Sequence, residues 1–305
     1  MRFSIFQESR KGGREANQDR TGYAYTRDAL LMVIADGMGG HLHGEVASQI
    51  AAQLLTEAFQ REARPKLADP FGFLQKSITD AHFALGDYAK ARRLIESPRT
   101  TCVACVVQDS TAFWAHVGDS RLYHIREGRI QAQTRDHSRV QMLVDQGRVR
   151  EEAVAAHPDR NKIFNCIGAI ALPQVELSKP TLLREDDTLI LCTDGWWGPL
   201  TGKLITGALL RNDLMKAIPE LLDLAELRAG ADSDNLSVVA MNWAEKHAGT
   251  LAGEVSTQTL VLDGVSTQLG DFSKADNSDL TDEEIERAIE EIRAAIRKHM
   301  PQKRQ

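Results

Sequence analysis

No stretch of this chain approaches the roughly 18 consecutive apolar residues that span a bilayer, so no membrane span is expected. A basic excess is missing too. Lys and Arg total 37 against 43 Asp and Glu, a formal charge of −6, which leaves no electrostatic footprint for nucleic acid. Cysteine is scarce: Cys102, Cys105, Cys166 and Cys192 sit singly in apolar stretches, as buried thiols in a reducing cytoplasm do. Cys102 and Cys105 form a C-x-x-C, but Thr101–Val107 has the composition of a strand. An odd spacing on a strand points the two thiols to opposite faces, which argues against a zinc or redox pair. The first residues, Met1 to Glu8, are too short and polar a run for a signal peptide. The expected location is the cytoplasm.

What is present is an Asp-Gly dipeptide that closes an apolar, strand-like run twice, far apart. The first run is Leu31-Met32-Val33-Ile34-Ala35-Asp36-Gly37 and the second is Thr188-Leu189-Ile190-Leu191-Cys192-Thr193-Asp194-Gly195. A buried strand that stops at a carboxylate and then a glycine delivers a fixed anion to a loop where the backbone can bend sharply. A third candidate is Asp234, in Ser233-Asp234-Asn235 just before the run from Leu236 to Met241.

Periodicity sets the organisation. Strands are predicted over Ser4–Glu8, Thr21–Tyr25, Leu30–Ala35, Thr101–Val107, Ala112–Val117, Arg121–Arg126, Leu189–Thr193 and Ser237–Trp243. Helices are predicted over Gly44–Arg61, Phe71–Ile95, from Ser138, over Thr201–Leu210 and over Asp213–Ala229. Strands in runs, with helices inserted in pairs, argue for two packed sheets flanked by helices, an α+β class. Residues 147 to 170 are irregular and polar and read as a mobile surface excursion. The domain is expected to span residues 1 to 246. A flexible linker, rich in Ser, Thr, Gly and Asp, then follows over 247–280. A capping box at Thr281 and Glu284 opens a helix over 281–299 whose Ile285, Ile289, Ile292 and Ile296 form a stripe. That stripe must dock on the chain's own domain, on a partner, or on a second copy.

Carboxylates with no accompanying His or Cys ligands favour Mg²⁺ or Mn²⁺ over zinc. Two such ions can clamp a phosphate ester and turn a water held between them into a nucleophile at neutral pH. Asp36 is the natural bridge between ions, the Gly37 carbonyl can add a ligand, and Asp194 and Asp234 complete a shell. An anionic substrate then needs a fixed positive fork, for which Arg14 is the candidate. One Asp-Gly alone is usually a turn, and one loop arginine is usually solvated. Their joint occurrence points to the metal centre.

Taken in order, five stretches resemble the metal-dependent PPM or PP2C-type serine/threonine phosphatases in their bacterial form. They are Arg14-Glu15-Ala16-Asn17-Gln18-Asp19, Asp36-Gly37-Met38-Gly39-Gly40-His41, Gly118-Asp119-Ser120-Arg121, Thr193-Asp194-Gly195 and Asp234-Asn235, with Arg135-Asp136-His137-Ser138 in support. The resemblance covers residues 1 to 244. It implies an αββα sandwich of two antiparallel sheets between helices, with two Mn²⁺ or Mg²⁺ ions at one end and a third, weaker one. It also implies roles: Asp36 bridging, the Gly37 carbonyl and the terminal ligands Asp194 and Asp234 beside it, and Asp119 with Asp194 at the third ion. By the same resemblance Asp19 orients metal-bound water, Arg14 binds phosphate, and residues 147–170 form a flap over the substrate.

The activity implied is hydrolysis of phosphoserine and phosphothreonine in proteins by a metal-bridging hydroxide, opposing a cognate Ser/Thr kinase. A non-catalytic scaffold that binds phosphoproteins is the alternative, and a chain whose main purpose is its Ile-striped tail is a third reading. Met38 stands where animal members carry a histidine proposed as the general acid, and a thioether cannot donate a proton. Water on a metal is preferred for that role, ahead of His41 and His43. Gln18 replaces a glutamate of some relatives, which lowers the local negative charge. A Cys-x₅-Arg loop is absent around all four cysteines, so cysteine-based phosphatase chemistry is excluded. Trp196 and Trp197 are expected to pack between helix and sheet rather than meet substrate, and Trp114 and Trp243 to lie in the core.

Overall fold

The structure is a computed structural model that describes residues 1–38, 43–150, 153–154 and 157–244 in full, and the backbone of 265–268. The element order is β1 (Phe3–Arg10), β2 (Asp19–Tyr25), β3 (Ala29–Asp36), α1 (Gly44–Glu62), α2 (Pro70–Arg92), β4 (Cys102–Gln108), β5 (Thr111–Val117), β6 (Arg121–Arg126) and β7 (Arg129–Gln133). Then come α3 (Arg139–Asp145), β8 (Glu176–Leu177), β9 (Thr181–Leu182), β10 (Thr188–Cys192), α4 (Asp194–Trp197), α5 (Gly202–Arg211), α6 (Leu214–Ala229), β11 (Leu236–Trp243) and β12 (Val265–Gln268). One sheet runs β1-β11-β10-β6-β7. The other runs β12-β2-β3-β4-β5-β8, with β9 also on β5.

Side-chain alternation builds four layers from these two sheets. On β3, Leu31, Val33 and Ala35 face α1 and α2, where they meet Ile50, Leu55, Phe59, Leu74 and Ile78. Leu30, Met32 and Ile34 face the other sheet and meet Leu189, Leu191, Val239, Met241 and Trp243. The outer face of that second sheet offers Ile190, Cys192, Val238 and Ala240 to α4, α5 and α6. Each Val, Leu, Ile, Phe or Met among them contributes roughly 1.5–3 kcal/mol by leaving water. Shifting any central strand by one residue would exchange its two faces, so the register is strongly specified. The expected αββα sandwich is the one observed.

Cys102 and Cys105 behave as their spacing requires. Cys102 packs in the helix–sheet core and Cys105 between the sheets. Helix starts follow local chemistry: the Asp69 carboxylate accepts from the Gly72 N–H at 3.0 Å, and Ser138, Thr201 and Asp213 cap α3, α5 and α6.

Two expectations need correction. Within the excursion over 147–170, Asn165, Cys166 and Ile167 are buried, and Ile167 exchanges both backbone hydrogen bonds with Thr100. That part is wall, not mobile surface, because its backbone groups are paired with the core rather than with water. The stretch 247–280 contains β12, whose backbone pairs with β2 from Thr21 to Ala24. The helix expected over 281–299 lies outside the described residues.

Candidate metal centre

Asp36 is the last residue of β3 and stands directly across from Asp19 at the start of β2. Its carbonyl accepts from the Thr101 N–H at 2.9 Å and the Thr100 hydroxyl at 2.8 Å. That holds the strand end and leaves the carboxylate at the mouth. Gly37 is required by a close approach: a Cβ there would lie 2.2 Å from the Gly44 carbonyl oxygen and 2.7 Å from that of Gln18.

Asp194 and Asp234 come from paired neighbours, β10 and β11. Thr193 locks the two loops together. Its N–H donates to the Ser237 carbonyl at 3.1 Å, and its hydroxyl accepts from the Ser237 N–H at 3.0 Å while donating to Asp19 Oδ2 at 2.9 Å. Gly195 lets the loops touch, since a Cβ there would sit 2.1 Å from the Asn235 carbonyl oxygen. Asn235 in turn fastens the Arg14 loop. Its Oδ1 accepts from the Gln18 N–H at 2.9 Å, and its Nδ2 donates to the carbonyls of Lys11 and Ala16 at 2.8 and 3.0 Å.

Asp119 lies in the turn between β5 and β6. It is 3 % exposed, and its Oδ1 has no hydrogen-bond partner. The turn around it is held from all sides. Trp197 Nε1 donates to the Asp119 carbonyl at 3.0 Å, and Thr101 and Ser120 share a hydroxyl bond of 2.7 Å. Arg121 donates two bonds of 2.8 Å to Asp136 and lies 3.4 Å over the Trp197 ring.

These residues surround a cleft of about 500 Å³, lined by Arg14, Asp36, Gly37, Asp119, Asp194 and Asp234 with Gln18, Met38, Asn161 and Ile163. Burial, then mutual repulsion, pushes the Asp36 and Asp119 carboxyls well above the usual range. For the same reasons Asp194 is pushed up to about 6 and Asp19 to about 7. Among the residues lining the cleft the one cation is Arg14, half-exposed, whose Nη2 donates to Asp234 Oδ2 at 2.7 Å. Four converging carboxylates, one with an unpartnered buried oxygen, form an oxygen donor set without His or Cys. That set fits hard divalent cations such as Mn²⁺ or Mg²⁺.

The model of the family described as protein phosphatase 2C matches residues 7–212. The chain belongs to that family. It is 33% identical over 256 residues to the serine/threonine protein phosphatase PstP of Mycobacterium tuberculosis, a match covering 81% of this chain and 47% of PstP. The chain thus spans about half the length of that relative. It is 32% identical over 192 residues to the serine/threonine phosphatase stp of Listeria innocua, covering 62% of this chain and 76% of stp. The solved catalytic domain of PstP in complex with two manganese ions superposes with a TM-score of 0.67 at 29% identity, over 80% of this chain and 99% of that one.

The expected site residues are distributed as follows. Asp36, Gly37, Asp119, Asp194, Asp234 and Arg14 share one cleft, and Asp19 stands behind it against Asp36 and Thr193. His43 occupies the N-cap position of α1 without a side-chain capping bond, and it does not line the cleft. His41 lies outside the described residues. Trp196 and Trp243 are fully buried and Trp114 nearly so, while Trp197 holds the Asp119 turn. Asn161 and Ile163 line the cleft and Thr193 braces it, contributions to which the sequence pattern assigned no role. A Thr before Asp-Gly and an Asn after Asp234 were the available signals, but their partners are distant in the chain.

Proposed function

We propose that this chain is a metal-dependent protein phosphatase that hydrolyses phosphoserine and phosphothreonine esters, opposing a cognate Ser/Thr kinase. The observation that carries the reading is the convergence of Asp36, Asp119, Asp194 and Asp234 in one cleft with Arg14 at its rim. The PstP structure with two manganese ions is consistent with it. Asp36 would bridge two ions, with the Gly37 carbonyl, Asp194 and Asp234 completing their shells and Asp119 joining Asp194 at a third. Divalent cations held there would supply Lewis acidity and lower the pKa of an attacking water.

The protein's own groups do the rest. Arg14 is half-exposed and can offer its guanidinium to phosphoryl oxygens, exchanging Asp234 for substrate. Asp19, fixed by Thr193, orients water from behind Asp36. Met38 lines the cleft without a proton to give, so the leaving alkoxide takes its proton from water. Manganese-dependent turnover of p-nitrophenyl phosphate and of a phosphothreonine peptide tests the reading. Equal turnover in EDTA, or full turnover by Asp194→Asn, overturns it. Phosphopeptide binding without turnover would favour the scaffold reading.

A further inference from the structure

Outside the cleft, His116, His137 and Glu176 bring three potential ligand atoms within 4.8 Å of one another. The spacing would suit a cation, but the hydrogen bonds forbid one. His137 Nδ1 faces the Gly118 N–H at 3.1 Å and Asn165 Nδ2 at 2.8 Å. The Asn165 amide cannot be reversed, because Gln174 N–H donates to its Oδ1 at 3.0 Å while its Nδ2 also donates to the Gln174 carbonyl at 2.8 Å. Two donors aimed at one ring nitrogen require a lone pair there. The proton of neutral His137 therefore sits on Nε2, which donates to Glu176 Oε2 at 3.2 Å. An Nε2 that carries a proton is no metal ligand. His116 stacks on this ring at 4.7 Å and donates its own Nε2–H to the Arg135 carbonyl at 2.8 Å.

The arrangement has a consequence at the cleft. The His137 N–H also donates to the Gly118 carbonyl at 2.9 Å. One residue thus satisfies both backbone groups of Gly118, the position immediately before Asp119. The same residue accepts the Phe164 N–H at 3.0 Å through its carbonyl, and its ring holds Asn165. Asn161 and Ile163, in the same segment, line the cleft.

We infer that His137, as the Nε2–H tautomer, is a positioning residue that fixes the Asp119 carboxylate relative to the 161–165 wall of the cleft. The inference rests on the proposed role of Asp119 for its effect on turnover, but not for the tautomer or the Gly118 bond. A proton on Nδ1 would face two N–H donors, so the clamp needs that nitrogen as an acceptor.

Long-range ¹H–¹⁵N correlation on ¹⁵N-histidine-labelled protein in EDTA reads the tautomer without any variant, the His137 signal being the one missing from His137→Asn. An unprotonated Nδ1 is expected, and a protonated Nδ1 overturns the inference. His137→Leu removes the acceptor, whereas His137→Asn keeps an oxygen near the Nδ1 position. Exchange of the Gly118 amide should speed about tenfold or more in the Leu variant and recover in the Asn variant. Calorimetric manganese titration should show the weakest site lost or weakened about tenfold in the Leu variant only. Equal behaviour of the two variants would assign His137 to packing alone. A wild-type protein without phosphatase turnover but with the expected tautomer and Gly118 protection would sink the proposed function and leave this clamp standing.

Discussion

Strand β10 separates two solutions to the same problem. Just before its first residue lies Asp187, fully buried, and two residues after its last lies Asp194. Asp187 accepts two bonds from Arg126 at 2.7 and 2.6 Å, one from His124 at 3.0 Å and one from the Arg184 N–H at 2.8 Å. Despite burial, those partners hold its carboxyl well below the usual range. Asp194 meets Asp234, Asp36 and Asp119 instead, and burial with repulsion drives this group upward. One end of the strand satisfies its anion with protein cations. The other collects anions and leaves the charge to be balanced from outside. A buried carboxylate with four donors is architecture, and a cluster whose mutual repulsion is only partly offset by the Arg160 and Arg14 guanidiniums is a candidate site.

The sharpest way to break this contrast is to neutralise each end. Asp36→Asn is expected to lower manganese-dependent turnover about a thousandfold or more, because a neutral amide neither bridges cations nor balances their charge. Steady-state kinetics with p-nitrophenyl phosphate at saturating manganese checks this. Asp187→Asn should leave turnover within about threefold of wild type at 25 °C, since its partners lie at the far end of β10.

Stability should move in opposite directions. Asp187→Asn strands Arg126 and His124 and is expected to cost about 3 kcal/mol in urea unfolding, with or without manganese. Asp36→Asn removes a repulsive charge, so in EDTA at pH 7 it should unfold at higher urea than wild type. Manganese at about 100 times its dissociation constant should stabilise wild type by roughly 2.7 kcal/mol, and the Asp36→Asn variant far less. A destabilised Asp36→Asn in EDTA would mean that the cleft carboxylates are already satisfied by protein groups.

The pH dependence sharpens the same comparison. The unfolded aspartates release their protons near 3.8, whereas Asp194 and Asp19 hold theirs to about 6 and 7. Between about pH 4 and 7 the folded, metal-free protein therefore binds more protons than the unfolded chain, and its stability falls as pH rises. Asp187 contributes the reverse: its stabilisation is present above the usual range and lost on acidification. His82 and His116, lowered by burial, add stability as pH rises towards 6.5 and partly mask the aspartates. The difference between wild type and Asp36→Asn isolates the cleft. It should be absent near pH 4, grow towards pH 7 in EDTA, and reverse sign with manganese. A pH-independent difference in EDTA would refute the assignment.

How much of this was legible in the sequence follows from the range of the interactions. The apolar runs Leu30–Ala35 and Leu189–Cys192 carried the sandwich, because a strand buried on both faces reads as a continuous apolar run, here ending next to a cleft carboxylate. β7 escaped, since an edge strand reading Arg-Ile-Gln-Ala-Gln alternates between exposed and half-buried positions and resembles a polar loop. β8 and β9, two residues each, carry no periodicity at all. The carboxylates of the cleft were visible as punctuation after strands. Their supports were not: Asn165 meets His137, and Asn235 meets Lys11 and Ala16, across separations that only the folded chain reveals. The irregular composition of 147–170 likewise hid a buried segment whose backbone is paired with Thr100.

Arg14 is the residue shared by both halves of the contrast, a protein cation placed among the cleft's anions. Its bond to Asp234 resembles the bonds at Asp187, but the guanidinium is half-exposed where Arg126 is mostly covered. An exposed pair in water contributes about 1 kcal/mol or less to stability, so Arg14→Ala should barely change urea unfolding in EDTA. Its effect is expected on substrate. The KM for p-nitrophenyl phosphate should rise about tenfold, through loss of a charge-assisted contact, while manganese affinity stays level or tightens as Asp234 is freed. Arg14→Lys keeps the charge but not the planar fork, and it should recover only part of the loss. A large fall in unfolding stability with unchanged KM would instead place Arg14 beside Arg126, as a structural counter-ion.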